Sequence, residues 1–187
     1  MPISSRPSWQ VPIIETERLR LRGHQLTDFP RSAAMWSAPE VTRYISGRPF
    51  TEEESWSRLL RYVGHWSLLG FGYWVVEEKV AGTFVGEVGF ADYHRDLQPS
   101  LDGAPEIGWV LAPSAHGQGY ATEAVHAVVA WGDSHFGSVR TACIIAPENT
   151  ASIRVATKCG YREHGRATYK GEATLIYARD PVPPAKL

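Results

Sequence analysis

Residues 106–124 read EIGWVLAPSAHGQGYATEA, a strand that runs into a Gly-rich turn and straight on into a helix. The chemistry such a junction offers is anion binding. A helix start leaves backbone N–H groups without partners, and the helix dipole adds partial positive charge there. Gly117 and Gly119 have no Cβ, so the chain can turn tightly and approach a ligand closely. Together these features make a cradle suited to a pyrophosphate. A ligand-free tight turn would use the same glycines, so the junction alone does not decide. A phosphate loop of the Gly-Lys-Ser/Thr type is absent. A dinucleotide fingerprint would need a third small residue at a set place and an acid about 20 residues on. Ala121 and Thr122 occupy that region, and the next strand, SVRTACIIA, offers no acid.

Two carboxylates lie on apolar strands. Alternation groups Glu106 with Gly108 and Val110, opposite Ile107, Trp109 and Leu111, and Gly108 is expected to leave space beside it. Glu87, in FVGEVGF, is expected opposite Phe84, Val88 and Phe90. Either carboxylate can serve as a base, pair with an arginine or face solvent.

The elements that must position these groups follow from periodicity and punctuation. MPISSRPSWQVP (1–12) reads as a mobile arm. IIETERLRLRG reads as a strand with one wet face, Leu19 and Leu21 alternating with Arg18, Arg20 and Arg22. TDFPRSAAMWS reads as a helix capped by Thr27, with Pro30 in its first turn. A second helix starts at Thr51, three residues before Glu54 as in a capping box, and ends at Gly70. Its expected apolar face is Trp56, Leu59, Leu60, Val63 and Trp66. FGYWVVEE and TFVGEVGF flank KVAG as a hairpin. After a polar loop come PEIGWVLAP, the Gly-rich turn and the helix YATEAVHAVVAWGDSHF, with Ala121, Ala124, Val125, Val128 and Trp131 on one face. SVRTACIIA is a strand, and NTASIRVATKCG a helix stopped by Gly160. Two strands surround Lys170–Gly171, and 181–187 reads as a tail. The order β-α-α-β-β-β-α-β-α-β-β predicts one α/β domain over 13–180, a mixed sheet with helices on both faces.

Bulk properties narrow the function classes. A chain of 187 residues can bury a core without disulfides or metal. Cys143 and Cys159 follow no metal or redox spacing, and the seven histidines show no ligand pairing, so no metal is expected. Free thiols without a signal peptide point to the cytoplasm. A net charge of −1 argues against a nucleic-acid binder, and no apolar run suits a membrane span.

At HGQGYATEA the sequence resembles the GNAT superfamily of acetyl-CoA-dependent N-acetyltransferases, most nearly its ribosomal-protein (Rim-type) branch. The family's pyrophosphate motif reads Gln/Arg-x-x-Gly-x-Gly/Ala. Gly119 and Ala121 stand on its small positions, and His116 replaces the first residue. ETERLRLR resembles the branch's opening strand, and PEIGWVL its fourth. PENTASIRVATKCGYR resembles the Asn-x-x-Ser…Lys-x-Gly-Phe/Tyr block, matching Asn149, Ser152, Lys158, Gly160 and Tyr161. The resemblance covers roughly 13 to 180.

It implies a mostly antiparallel sheet of about six or seven strands with about four helices, splayed between the fourth and fifth strands. It implies acetyl-CoA as cosubstrate. Pantetheine would pair with Trp109, Val110 and Leu111, and pyrophosphate would sit on His116, Gly117, Gln118, Gly119, Tyr120, Ala121 and Thr122. Asn149, which also reads as the cap of the last helix, Ser152 and Lys158 would add cofactor contacts. An N–H near Val110 would polarise the thioester carbonyl. For the amine's proton, Glu106 is the first candidate as base or water-orienter and Glu87 the second. Ser152 is the preferred donor to the leaving thiolate. Its hydroxyl is alternatively a helix cap, whereas Tyr161 and Cys159 read as core. Trp56, Trp66, Tyr73 and Trp74 read as core with one or two lining an acceptor groove, and His65 and His94 as surface groups or, alternatively, substrate contacts. The partner is an amine, on a protein N-terminus or a small molecule, and the protein a monomer or homodimer. The alternative is a coenzyme-A-binding module that has lost the chemistry.

Overall fold

A computed structural model describes residues 10–101 and 103–181. The arm at 1–9 and the tail at 182–187 lie outside the described residues. Residues 10–12 are docked, because Trp74 Nε1 donates to the Pro12 carbonyl (2.8 Å).

The opening segment is a hairpin rather than one strand. β1 (Ile14–Glu15) turns through Thr16–Arg18 and returns as β2 (Leu19–Arg22). The Thr16 hydroxyl accepts the Leu19 amide at 2.9 Å and fixes that turn. Leu19 and Leu21 are fully buried, as their alternation requires. Arg22 departs from the expected wet face: it is held between Asp28 (2.7 Å) and Glu77 (2.5 Å).

Next come α1 (Phe29–Trp36), a one-turn α2 (Pro39–Thr42) and α3 (Glu52–Leu69), then β3 (Tyr73–Glu78), β4 (Phe84–Ala91) and β5 (Glu106–Leu111). α4 (Tyr120–Phe136), β6 (Thr141–Ile145), α5 (Thr150–Lys158), β7 (Arg162–Tyr169) and β8 (Glu172–Arg179) complete the chain. Thr27 does not cap α1. A 3-10 turn, Leu26–Asp28, precedes the helix, and the Asp28 carboxylate takes the Gln25 amide (2.8 Å). Thr51 and Glu54 do form the reciprocal capping box, and Gly70 closes α3 in the left-handed conformation.

The eight strands follow the order β1-β2-β3-β4-β5-β6-β8-β7. β5 and β6 run parallel, and their ladder consists of one pair, Glu106 with Ala142, while every other neighbouring pair is antiparallel. Each strand is committed to its other neighbour, β5 to β4 along its whole length and β6 to β8 along its own. Beyond Glu106 the two half-sheets therefore separate, as the family resemblance implied.

α4 covers one face of the sheet with Ala124, Val125, Val128 and Val129. The other face carries α1 and α3. A bulge where β3 meets β4 moves Phe84 to that second face, with Met35, Trp36 and Val75, while Val88 and Phe90 stay under α4. Phe84 thus leaves the face predicted for it. In α3 the buried stripe is Ser55, Leu59, Tyr62, His65 and Trp66. Trp56, Leu60 and Val63, expected in the core, are exposed. The helix carries two apolar stripes, and the sheet takes the one whose polar members find acceptors. His65 is buried rather than superficial, its ring nitrogens 2.9 Å from the Arg61 carbonyl and 3.0 Å from that of Asp92.

Glu87 fastens α1 to β4. Its carboxylate is fully buried, accepting from Ser32 Oγ (2.6 Å) and Trp36 Nε1 (3.0 Å), with His24 Nε2 at 3.5 Å. Burial pushes this carboxyl up, but His24 and the two donors outweigh it and hold it below its ordinary 4.5. A group lowered on folding stabilises fully above its unfolded value and loses that contribution as pH falls through its folded one. We therefore expect Glu87→Ala, which strands two buried donors, to cost about 2–4 kcal/mol in urea unfolding at pH 7. The gap from wild type should narrow below about pH 4.

Candidate active site

The separation of β5 from β6 opens a wedge whose closed end is the Glu106–Ala142 bridge. Backbone groups along the inner edge of a strand have no ladder partner once its neighbour departs, so a ligand can pair there. Trp109 and Val110 lie on this edge. The Leu111 carbonyl, expected to be free, accepts from His116 Nε2 at 3.0 Å. A carbonyl only accepts, so that nitrogen carries the proton. His116 thus links the end of β5 to the Gly-rich turn, in place of the Gln or Arg of the family motif.

The turn has the predicted form. Gly117 and Gly119 adopt φ +75° and +79°, a conformation that side chains resist. The first intrahelical bond of α4 runs from the Glu123 amide to the Gly119 carbonyl (3.1 Å), so the amides before it have no intrahelical acceptor. The arrangement puts a run of amides without intrahelical acceptors, the cradle read from the sequence, at the open end of the wedge.

The brace behind that cradle escaped sequence reasoning. Glu123 Oε1 accepts from Thr16 Oγ1 (2.6 Å) and the Arg18 amide (2.9 Å), and Oε2 from Arg18 Nε (2.7 Å). Arg18 Nη1 donates to the Gln118 carbonyl (2.9 Å), and its guanidinium lies 4.6 Å from the Tyr120 ring centroid. Partial burial pushes the Glu123 carboxyl up, yet the Thr16 and Arg18 donors leave it below its ordinary range. The only sequence signal was the opposite sign of two single side chains, Arg18 in ETER and Glu123 in ATEA.

On the α3 side of the wedge, Glu106 is buried and held in a fork by Arg95: Nε to Oε2 at 2.6 Å and Nη2 to Oε1 at 2.7 Å. Arg95 also donates to Tyr169 Oη (2.8 Å). Arg95 thereby joins β5 to β7. The space expected beside Glu106 at Gly108 is filled. Tyr73 pairs with Gly89, which pairs with Gly108, and the Tyr73 hydroxyl crosses to rest where a Gly108 side chain would stand. The absence of a Cβ at Gly108 leaves room for that hydroxyl. Glu87, buried and bonded as described, lies away from solvent.

α5 lies beside the cradle. Asn149 caps it, its Oδ1 taking the Ser152 amide (3.1 Å), so Ser152 is not the cap and its hydroxyl has no hydrogen bond among the described residues. At the far end, the Cys159 thiol approaches the Thr122 carbonyl (3.8 Å), and its neighbour Lys158 is exposed. Burial pushes the Cys159 thiol up to about 11 and that of Cys143 well above its ordinary value, so both act as small core residues. Tyr161 is also core, its hydroxyl 2.7 Å from Thr141 Oγ1. Trp66, Tyr73 and Trp74 are buried, while Trp56 and His94 are exposed. Among the described residues no group of three or more His, Cys, Asp or Glu side chains is placed to hold a metal, and no helix is long and apolar enough to cross a membrane.

This sheet, parted between one parallel pair with a helix start at the opening, defines a family. The profile described as "Acetyltransferase (GNAT) domain" matches residues 18–162. The chain belongs to the GNAT acetyltransferase family and is an acetyltransferase. It is similar to the N-acetyltransferase p20 of Bacillus licheniformis, 30% identical over 164 residues that cover 86% of this chain and 89% of that one. A GnaT-family acetyltransferase structure from Bordetella pertussis superposes with TM-score 0.79 at 30% identity, covering 90% and 99% of the two chains. The structure of RimL, a ribosomal L7/L12 alpha-N-protein acetyltransferase in complex with coenzyme A, shares the fold at TM-score 0.72 and 17% identity, covering 91% and 98%.

If the Arg18–Glu123 brace holds the cradle in shape, Glu123→Gln weakens the three charge-assisted bonds that the carboxylate accepts. Backbone amide exchange in the first hydrogen-bonded turn of α4, residues 123–126, is expected to accelerate about tenfold or more, with little change in the β6–β8 core, by hydrogen-exchange mass spectrometry.

Proposed function

We propose that this protein is an acetyl-CoA-dependent N-acetyltransferase that passes the acetyl group directly from the thioester to a primary amine, on a protein N-terminus or a small molecule. The observation that carries the reading is the pairing of an open β5 edge with the amide cradle at 117–122 at the mouth of one wedge. An extended pantetheine would add to β5 along Trp109–Leu111 as an extra strand does. Its pyrophosphate would rest on the amides of Gly117, Gln118, Gly119, Tyr120, Ala121 and Thr122, with His116 holding the approach. Asn149 borders the pantetheine, and Lys158 adds a cation beside the phosphates.

The chemistry asks for three things. The thioester carbonyl needs a donor, which a backbone amide near Val110 supplies. The leaving thiolate needs a proton, and the unengaged Ser152 hydroxyl is the donor of choice. The amine must arrive uncharged, although an alkylammonium keeps its proton until about pH 10 and an α-ammonium until about pH 8. Glu106 suits the part of water-orienter better than that of a direct base, because Arg95 already engages both its oxygens. A carboxylate has about four acceptor sites, so a water can still bond there and take the amine's proton onward. Glu87, walled in behind α1, serves as an anchor.

A thiol-release assay with acetyl-CoA and a panel of amines tests the proposal. Free coenzyme A should appear only when an amine is present, and kcat/KM should rise with pH as the acceptor deprotonates. Ser152→Ala is expected to lower kcat about 10²-fold or more while the affinity for acetyl-CoA, by calorimetry, stays as in wild type. Binding without thiol release for any amine would make this a coenzyme-A-binding module, and tighter binding of NADH than of acetyl-CoA would remove the cofactor assignment itself.

A further inference from the structure

Among the described residues the guanidinium groups drawn into the protein are matched by carboxylates, with one exception. Arg22 has Asp28 and Glu77, Arg95 has Glu106, and Arg179 has Asp133. Arg58, on α3, has no acidic partner among them. Its guanidinium lies 3.9 Å from the Trp36 ring centroid and 4.9 Å from that of Phe50, two rings that stack on each other. Its hydrogen bond goes from Nη1 to Tyr62 Oη at 3.3 Å, and its Nε–H is buried without an acceptor. A guanidinium carries five donors in a planar fork, so most of this one's capacity is unspent. Aromatic faces return only part of what a partly buried cation loses in hydration.

Arg58 is also connected to the wedge. The Tyr62 ring stacks on Tyr73 with centroids 4.5 Å apart and 15° between planes. The Tyr73 hydroxyl in turn rests over Gly108 on β5. Arg58, Tyr62, Tyr73 and Gly108 thus form one line from α3 to the strand edge assigned to the thioester. The residue keeps partial exposure, so a ligand can meet the edge of the fork while its face stays on the rings.

We infer that Arg58 anchors a carboxylate of the acceptor, so that the amine taken at this site belongs to an amino carboxylate such as an amino acid or a short peptide. The inference rests on the acyl-transfer reading above and adds to it the class of acceptor. A planar fork and a planar carboxylate match in two parallel N–H···O bonds, a match that a neutral amide cannot make. A guanidinium serving only as a brace between α1 and α3 would show no preference between the two.

The test uses the coenzyme-A-loaded protein and needs no turnover. N-acetylalanine, a carboxylate, and N-acetylalaninamide, its neutral counterpart, are titrated by calorimetry, with tryptophan fluorescence as a second signal. The acid is expected to bind at least about tenfold more tightly than the amide. In Arg58→Met, which keeps the stem against the rings, the two should bind alike while coenzyme A binds as in wild type. Equal binding of acid and amide to the wild type, no acid binding up to about 10 mM, or a preference that survives in Arg58→Met would each overturn the inference. The wild-type comparison decides even if that variant does not fold. Thiol release with alanine and alaninamide separates the two levels. A binding preference with no release from any amine sinks the transferase reading alone. Release from both amines with equal KM sinks the anchor alone.

Discussion

β5 and β6 meet at one residue pair and then part, and the rest of the molecule is arranged around that parting. A strand separated from its neighbour inside a sheet leaves polar backbone without its ladder partner, which a protein tolerates only where water or a ligand will satisfy it. Each half-sheet is sound in itself, β1 to β4 with β5 on one side and β6 with β8 and β7 on the other. Arg95 secures the closed end, since one guanidinium holds Glu106 on β5 and Tyr169 on β7. At the open end the Gly-rich turn and α4 begin, so the unpaired edge and the unpaired amides belong to one continuous surface.

Most of the carboxylates in and near the site are engaged in holding it. Glu87 fixes α1 to the sheet, Asp28 gathers Arg22 and the turn before α1, Glu123 ties the cradle to the first hairpin, and Glu106 is locked by Arg95. Buried ion pairs of this kind add little net stability, because desolvation offsets much of the attraction, but they set geometry narrowly. The division of labour follows. Fixed charges place the backbone, while in the proposed reaction the backbone amides and the Ser152 hydroxyl are what remains to meet the thioester. Acetyl transfer needs little more, since its largest demand is a donor preplaced where the carbonyl oxygen gains charge.

Much of the fold was legible wherever a local rule decides it. The capping box at Thr51 and Glu54, the left-handed glycines at 70, 117, 119 and 160, the Asn149 cap and the apolar face of α4 each depend on residues within a turn or two. The features that were not legible all depend on a distant choice. IIETERLRLRG reads as one strand because its alternation continues through the Thr16–Arg18 turn. α3 has two apolar stripes, and only the shape of the sheet selects Leu59, Tyr62 and Trp66 over Trp56, Leu60 and Val63. The bulge that moves Phe84 across the sheet arises in the pairing of β3 with β4, which neither strand shows alone.

The same boundary runs through the site. By itself the sequence determined the cradle, the strand that leads into it and the family, because the φ > 0 positions and the helix start are written in consecutive residues. Tertiary structure decided which carboxylate is an anchor and which borders the wedge, that Arg18 stands behind the turn, that Tyr73 fills the space over Gly108, and that Arg58 is left without an acid. The physical reason is that a side chain's charge is present in the sequence, but its partner is fixed only when strands and helices far apart in the chain are packed together.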